Sequence, residues 1–384
     1  MRKPKDWGQP GPHPACPHYR RMPQGNVSAL ATSLTQSGKR RIFRGHTCAT
    51  HLAETRETVL FELRTSEEKV MMALQMLLVR GDLAGIGFGL GVTEETVLAW
   101  LQRAAQQAEA INHHLLRHRP VTQGQRDELW HCIGRKHARE TDEAGESVPH
   151  GEDGRPGVWG SFAPEFRLMS AAIVGPRTLD TAKEGGAVTK ARVAGLPAFF
   201  SDGFTCSLAA LLAAFHSVTT FARTGKRGRP RKPLGQPHPE LVDGQLGKQK
   251  KQGKLGTLST RVVLGAERLR HLGCTISTAL VERITLTLRQ ALAPLARTTS
   301  SFCQDRACMR QRVVFFQAFY KVARPHMSLR QPLPLHVRTR RGAICPRWQQ
   351  RTPAMAAGLT DHVWTFRELL TAKFEPFDSQ SISG

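Results

Sequence analysis

Three acidic residues in apolar surroundings are the residues of this chain best suited to chemistry. They are Asp127 in QRDELW, Asp202 in PAFFSDGF and Glu282 in STALVERITLTLR. A triad of carboxylates can hold two Mg²⁺ ions for phosphodiester cleavage and transfer, one ion activating an oxygen and the other stabilising one. At least 75 residues separate each acid from the next, so only the tertiary fold can bring them together. For each acid taken alone, the alternative is an ordinary surface or capping residue.

The local sequence predicts a different setting for each acid. The run LPAFF before Asp202 and Gly203 after it predict a short buried strand that ends in a tight turn. Asp127 lies where a polar loop gives way to hydrophobic residues, which predicts an inward-facing acid on a strand. Around Glu282 the apolar residues recur at helical spacing, which predicts a helix. They are Ile276, Leu280, Ile284, Leu288, Leu292 and Leu295.

The composition favours a polyanionic partner. The 384 residues include 55 Lys and Arg against 31 Asp and Glu, a net charge of +24 that favours DNA over a neutral substrate. This length allows two or three domains. Eight scattered cysteines show no disulfide framework, which favours a reducing compartment. The first residues have no apolar signal region and no apolar stretch is long enough for a membrane span, so we expect a cytoplasmic protein beside the chromosome, without a membrane partner.

Five segments carry a resemblance to a known family, and they extend over most of the chain. The chain resembles the DDE transposases of bacterial insertion sequences, in the group with an N-terminal zinc ribbon and a helix-turn-helix. The resemblance implies an α/β fold whose RNase H-like catalytic core has Asp127 on its first strand, Asp202 at the end of its fourth and Glu282 on a following helix. Residues 158–163 and 166–174 would supply the intervening strands. The segments are QRDELW, FAPEFRLMSAAIVGPRTLDTA, FFSDGF, ERITLTLRQALAPLAR and FYKVARPHMSL.

The activity implied by the resemblance is transposition without a covalent link between protein and DNA. Asp127, Asp202 and Glu282 would be both the catalytic residues and the ligands of Mg²⁺, for which Mn²⁺ can substitute. Water activated by one ion would free a 3′-OH at the end of the element, and the same site would join that hydroxyl to a target phosphate. The implied partners are double-stranded DNA, at the terminal repeats and the target, and further copies of the chain in a synaptic complex. The expected location is the nucleoid.

The domain order follows from the resemblance and from local patterns. We expect a degenerate zinc ribbon over 1–60, a helix-turn-helix domain over 61–118, the catalytic domain over 119–330 and a tail over 331–384 that is amphipathic in 361–375. Capping-box spacing at TSEE predicts a helix over about 66–80, followed by a glycine-weakened helix over 82–91 and a third that starts at Thr93. Arg103 on the polar side of the third helix is a candidate DNA contact. The alternative is a plain helical hairpin that packs against the core.

Two departures from the family pattern indicate a decayed copy. Of the two cysteine pairs of the ribbon only Cys16 and Cys48 remain, because Gly11 and Gly45 stand where the first member of each pair should be. Two thiolates do not complete a tetrahedral Zn²⁺ site, so the alternative to zinc binding is a pair of free thiols. In the helix motif, Thr285 occupies the position of an Asn, which removes an amide donor.

Basic residues of a predicted insertion and of the segments that follow Glu282 supply further candidate DNA contacts. Residues 223–254 are expected to form a flexible basic insertion, and Gly-Arg-Pro at 228–230 within it resembles an AT-hook for the minor groove. The alternative is a solvated basic loop, as we expect for the acidic segment 135–157. Near Glu282, Arg283 and Arg289 would follow the DNA backbone, and the resemblance places Arg324 and His326 close to the active site. The insertion contributes Lys226, Arg227, Arg229, Arg231 and Lys232.

Two other functions are compatible with the same residues. One is a DNA-binding protein without catalysis, such as a repressor of transposition that derives from a transposase. The other is a nuclease or junction resolvase with the same fold, which would cut DNA without joining it.

Overall fold

The structure is a computed structural model that divides the chain into two compact units. One unit comprises residues 1–114 and 364–384, and the other comprises residues 115–363. The described residues are 15–19, 25–116, 119–130, 156–203, 205–219, 234–251, 254–296, 301, 303, 305–338 and 344–374.

The first unit begins with a small antiparallel sheet. Its strands are β1 (Val27–Thr35), β2 (Gly38–Gly45) and β3 (His51–Ala53), with β2 in the middle. One residue from each strand, Val27, Phe43 and Leu52, forms its buried cluster. Such a sheet has little core of its own, because three apolar side chains bury little area.

Three helices follow the small sheet, in the order that the sequence predicts. They are α1 (Glu67–Leu77), α2 (Leu83–Leu90) and α3 (Glu94–Leu115). The Asp82 carboxylate accepts a 2.7 Å hydrogen bond from the Gly85 N–H and so caps α2, and Gly91 ends that helix in a left-handed conformation. The predicted capping box before α1 is absent, because Ser66 occupies the cap position without a side-chain bond.

The second unit is built on a six-stranded mixed sheet. Its order is β13-β12-β9-β5-β6-β7, in which β5, β9 and β12 are parallel and the other pairs are antiparallel. The remaining strands form separate pairs, β4 with β8, β10 with β11 and β14 with β15. The strands span Arg119–Pro120 (β4), Gln123–Trp130 (β5), Pro156–Ala163 (β6), Leu168–Pro176 (β7), Val193–Ala194 (β8), Ala198–Ser201 (β9), His216–Thr219 (β10), Leu234–Pro237 (β11), Val242–Lys251 (β12), Lys254–Leu264 (β13), Gln331–Arg338 (β14) and Ile344–Gln349 (β15).

Helices cover both faces of this sheet, which makes the unit mixed α/β. Phe199 and Phe200 are successive residues of β9, and both are fully buried. Because side chains alternate along a strand, the two rings lie on opposite faces of the sheet. Phe199 packs with Leu211 on one face, and Phe200 packs with Leu269 on the other. The helices of the unit are α4 (Leu179–Arg192), α5 (Thr205–Ala214), α6 (Ala266–Leu272), α7 (Ala279–Ala291), α8 (Arg306–Val322) and α9 (Pro353–Ala356).

Part of the predicted basic insertion is instead core structure. Residues 242–251 form β12, which pairs with β9, and residues 254–264 form the edge strand β13. The prediction of a flexible segment over 223–254 was therefore wrong for residues 242–251, which form a core strand. Lysines and glutamines along β12 conceal its strand character, because the sequence there lacks the apolar alternation of a half-buried strand.

The predicted tail also divides differently. Residues 331–363 belong to the second unit, whereas the last helix, α10 (Phe366–Thr371), lies in the first. There the Arg367 Nε donates a 2.6 Å bond to Glu67, whose other carboxylate oxygen pairs with Arg40. The buried Arg40–Glu67 pair and the exposed Arg367 thus join β2, α1 and α10 through one carboxylate.

No helix among the described residues is long and apolar enough to cross a membrane.

A buried ion pair joins the central strands of the sheet. The Arg126 Nη2 on β5 lies 2.9 Å from an Asp243 oxygen on β12, and Arg126 also donates to the Ser207 carbonyl at 2.6 Å. Asp243 is fully buried. Removing one partner of such a pair leaves an uncompensated charge in the interior.

We expect Asp243→Ala to lower the free energy of unfolding by roughly 3 kcal/mol, because the buried guanidinium loses its counter-charge. Urea unfolding followed by circular dichroism measures the change. The matched control is Asp180→Ala, which removes an exposed carboxylate 3.7 Å from Lys183 and should cost less than about 0.5 kcal/mol. Equal effects of the two substitutions would contradict the stabilising role of the buried pair.

Candidate metal and nucleic-acid site

Asp127 and Asp202 lie on neighbouring parallel strands. In the pairing of β5 with β9, Gln123 lies opposite Ala198 and Gln125 opposite Phe200. Two residues further along, the same register sets Asp127 beside Asp202, which directly follows β9. Positions two apart on a strand point to the same face of a sheet, so Asp127 lies on the same face of β5 as Gln125, and Asp127 and Asp202 both line one pocket of the unit. The strand pairing thereby joins two acids that are distant in sequence.

Gln125 attaches α7 to the same face of β5. Its Oε1 accepts hydrogen bonds from the backbone N–H groups of Leu280 and Val281, at 3.1 and 3.0 Å. These N–H groups are in the first turn of α7, where they have no partner within the helix. Gln125 is only 2% exposed, so the bonds are shielded from water. The Gln125 side chain, two residues before Asp127, therefore fixes the start of α7, the helix that carries Glu282.

Glu282 is held by two groups. Its Oε1 accepts a hydrogen bond from the Thr278 hydroxyl at the start of α7 and forms an ion pair with the Lys248 ammonium. Lys248 is on β12, so the pair connects α7 to a strand near one edge of the sheet. Glu282 is half-buried, whereas Asp202 is exposed.

The acids act on one another electrostatically. Burial raises the pKa of Asp127 to about 6, and the negative charges of Asp202 and Glu282 add to the shift. A 2.9 Å hydrogen bond from the Glu128 N–H and the positive charge of Lys248 act in the opposite direction. The fold therefore places Asp127 within the electrostatic field of both Asp202 and Glu282.

Charged residues that the sequence did not single out surround the acids. Burial lowers the pKa of Arg126, against the attraction of Asp243 and Asp202. Burial raises the pKa of Glu128, while Arg177 at 2.8 Å opposes this and Asp202 adds to it. No local pattern marks Arg126 or Lys248 as part of a site, because their roles follow from strand pairing.

The acids do not form a closed metal site by the spacing of their side chains alone. Over the described ranges, no three His, Cys, Asp or Glu side chains are close enough together to hold an ion. The donors nevertheless suit a hard divalent cation, because carboxylate oxygens are its preferred ligands. Their mutual repulsion is what such a cation would relieve. Lys248 supplies one compensating charge.

The two cysteines predicted as zinc ligands are neighbours in the first unit. Burial acts to raise the pKa of the Cys48 thiol, but hydrogen bonds with Thr50 and Cys16 outweigh it, so the pKa is lowered. Cys16 and Cys48 are both free thiols, and Gly11 lies outside the described residues. The fold thus brings two thiols together, which is half of the four ligands that a Zn²⁺ site needs.

The candidate DNA contacts fall into three groups. Arg103 is exposed on α3, where its Nη1 donates a 2.7 Å bond to the Phe61 carbonyl, and Arg289 is in the last turn of α7. Arg283, Arg324 and His326 line one pocket in the second unit. The basic residues of the AT-hook-like segment, Lys226, Arg227, Arg229, Arg231 and Lys232, lie outside the described residues, as does the acidic segment over 135–155.

Thr285, which stands at the position of the family's Asn, uses its hydroxyl locally. Its Oγ1 donates a 2.8 Å bond to the Glu282 carbonyl within α7. A bond to the carbonyl three residues earlier is a common arrangement for Thr in a helix, so this hydroxyl does not replace the missing amide.

Comparison of the chain with protein-family models found no match, and no curated protein matches it either.

The raised pKa of Asp127 predicts how stability depends on pH in the absence of metal. Because the folded state raises the pKa of Asp127 to about 6, the folded protein binds more protons than the unfolded chain between about pH 4 and pH 6. Stability should therefore decrease as the pH rises through this window. Asp127→Asn should remove the decrease and stabilise the protein at pH 7 by on the order of 1–2 kcal/mol.

Thermal unfolding in EDTA at pH 4.5 and pH 7 tests this expectation. Asp180→Asn is the matched control, because its carboxylate is exposed. A pH dependence that is the same in the Asp127→Asn variant and the unmutated protein would show that Asp127 is not under electrostatic stress.

Proposed function

We propose that this protein is a DDE-type DNA transposase that cleaves the ends of its element and transfers the 3′-OH to target DNA. The observation that carries the proposal is that the register of β5 with β9 sets Asp127 beside Asp202, and that Gln125 ties the helix of Glu282 to the strand of Asp127, since these acids are far apart in sequence. A cluster of carboxylates on a strand, at the end of its parallel neighbour and on a covering helix is the arrangement that the family resemblance implies.

The topology supports the finer assignment to an RNase H-like core. Counted from β5, the first strand of the main sheet carries Asp127, the fourth ends at Asp202, and a later helix carries Glu282. Two antiparallel strands lie on one side of β5 and two parallel strands begin on the other. In this proposal the first unit binds DNA through the ribbon remnant and the predicted helix-turn-helix.

The three carboxylates would hold Mg²⁺, for which Mn²⁺ could substitute. When bound, the ions would activate a water or a 3′-OH and stabilise the departing oxygen at the phosphate. The side chains of this chain position that chemistry. Gln125 fixes α7, and Lys248 and Thr278 hold the Glu282 carboxylate on the side of α7 that faces the strands.

The charge of the chain supports DNA as the substrate. A net charge of +24 supplies the sequence-independent attraction by which cations replace the counterions of a phosphate backbone. A carboxylate cluster repels that backbone unless divalent cations neutralise it, so the proposed chemistry and the proposed cofactor depend on each other.

A catalytically inactive DNA-binding derivative is the second candidate. Two observations favour it: the Thr285 hydroxyl is bonded to its own helix backbone, and Cys16 with Cys48 provides only half of a zinc site. In this candidate the protein would bind the ends of an element and repress transposition.

A joining assay with a pre-cut oligonucleotide end that carries a free 3′-OH tests the proposal. We expect Mg²⁺- or Mn²⁺-dependent joining by the unmutated protein. Asp202→Asn and Glu282→Gln should each reduce it by roughly 100-fold or more while DNA binding persists, because a metal ligand is lost. Asp180→Asn controls for the loss of an acid elsewhere in the same unit.

The outcomes separate the candidates. Full joining by the Asp202→Asn protein would refute the transposase mechanism. An unmutated protein that binds the ends but neither cuts nor joins them would identify the inactive derivative. Cutting without joining would instead indicate a nuclease.

A further inference from the structure

A pocket on the second unit contains several positive charges. It lies between α7, β6 and the segment after α8, and its volume is about 320 Å³. That is several times the roughly 30 Å³ that a water molecule occupies in the liquid. Its positively charged or basic side chains are Arg167, Arg283, Arg324 and His326, and Phe162 and Tyr320 contribute aromatic rings.

No carboxylate of the described residues neutralises the charges in this pocket. Among the described residues, no Asp or Glu lines the pocket. The described part of the chain also provides no ion-pair partner for Arg167, Arg283 or Arg324. Three guanidinium groups at one pocket repel one another, so the arrangement is stable only if an anion or solvent compensates them.

Arg167 is held in place by the fold. It follows the short 3-10 turn Pro164–Phe166 and has a left-handed backbone, with φ of 54°. Its Nε donates a 3.2 Å bond to the Ser328 hydroxyl. Its Nη1 is buried and has no hydrogen-bond partner among the described residues. A buried donor without an acceptor costs free energy, and an anionic oxygen in the pocket would satisfy it.

His326 adds a neutral donor to the same pocket. The Ser328 backbone N–H donates a 3.3 Å bond to His326 Nδ1, so in the neutral ring the hydrogen is on Nε2. The ring packs edge-on against Tyr320, with 6.5 Å between centroids. Burial and the charges of Arg167, Arg324 and Arg283 lower the pKa of His326. All three arginines therefore act on the His326 ring.

The pocket and the acids share one helix. Glu282, which pairs with Lys248 on β12, and Arg283, which lines the pocket beside β6, are consecutive on α7. Consecutive helical residues are about 100° apart around the axis. One turn of α7 therefore presents a carboxylate on one side and a guanidinium on another.

We propose that this pocket is a phosphate subsite, in which Arg167, Arg283, Arg324 and His326 bind a backbone phosphodiester of the DNA strand whose neighbouring phosphate reacts at the acids. This inference rests on the proposed function. The ligand oxygen would accept from the buried Arg167 Nη1, and Arg283 and Arg324 would neutralise the phosphate charge.

Fluorescence anisotropy with a labelled DNA duplex in EDTA, over a range of salt concentrations, tests the subsite without requiring catalysis. Arg283→Ala and Arg324→Ala should each weaken binding about 5- to 20-fold and reduce the salt dependence by about one released ion. The matched control is Arg270→Ala, because Arg270 is exposed on α6 and does not line the pocket. This variant should change binding less than about 2-fold.

A second measurement does not depend on affinity alone. The His326 imidazole resonance, assigned with His326→Gln, should titrate at higher pH in the presence of the DNA, because a bound phosphate stabilises the imidazolium. Arg283→Ala should diminish this change. A parallel titration with inorganic phosphate tells a small-anion site from a DNA site.

The outcomes distinguish the subsite from the proposed function. If the unmutated protein binds DNA but the pocket variants behave like Arg270→Ala, the subsite is refuted while the transposase proposal stands. If joining fails but DNA binding shows the expected losses and salt slopes, the subsite is supported and the inactive derivative is favoured. If only inorganic phosphate shifts His326, the DNA assignment is wrong.

Discussion

The position of α7 on the sheet depends on one buried amide. Gln125 accepts from two N–H groups of the first turn of α7, and each would be unsatisfied and buried if the helix shifted, at a cost of about 1–3 kcal/mol. Asp127 is two residues further along the same strand, and Glu282 lies on the turn that Gln125 holds. Two neutral hydrogen bonds therefore hold the first turn of α7 against the strand that carries Asp127, and they do not weaken when the acids repel each other.

The acid cluster is a local electrostatic cost within a well-packed unit. Two ion pairs lie on opposite faces of the sheet. Lys248 pairs with Glu282 on the α7 side. On the Phe199 side, the guanidinium of Arg126 pairs with Asp243, which is fully buried. Natural proteins tolerate such local conflicts mainly where a site requires them. In the proposed function, divalent ions would relieve the repulsion at Asp127, because they neutralise carboxylates.

α7 also explains why loss of catalysis need not mean loss of DNA binding. Its apolar residues Val281, Ile284 and Leu288 are buried, while Glu282 and Arg283 face different neighbours. A change at Thr285, whose hydroxyl is already bonded to the helix backbone, alters neither the packing nor the arginine pocket. A derivative without catalysis would thus keep the same fold and the same positive surface, which is why the two candidate functions differ in chemistry and share their structure.

The sequence by itself determined the features that depend on neighbouring residues. Helical periodicity and local caps placed α1, α2 and α3 to within a few residues, and the apolar run before Asp202 marked β9. Net charge likewise needs no fold. Only the tertiary structure decided that Val242–Lys251 is a core strand, that Lys248 meets Glu282, and that Arg167 joins Arg283 and Arg324. These contacts join residues far apart in sequence, and they follow from strand register and helix packing, which no local pattern of residues encodes.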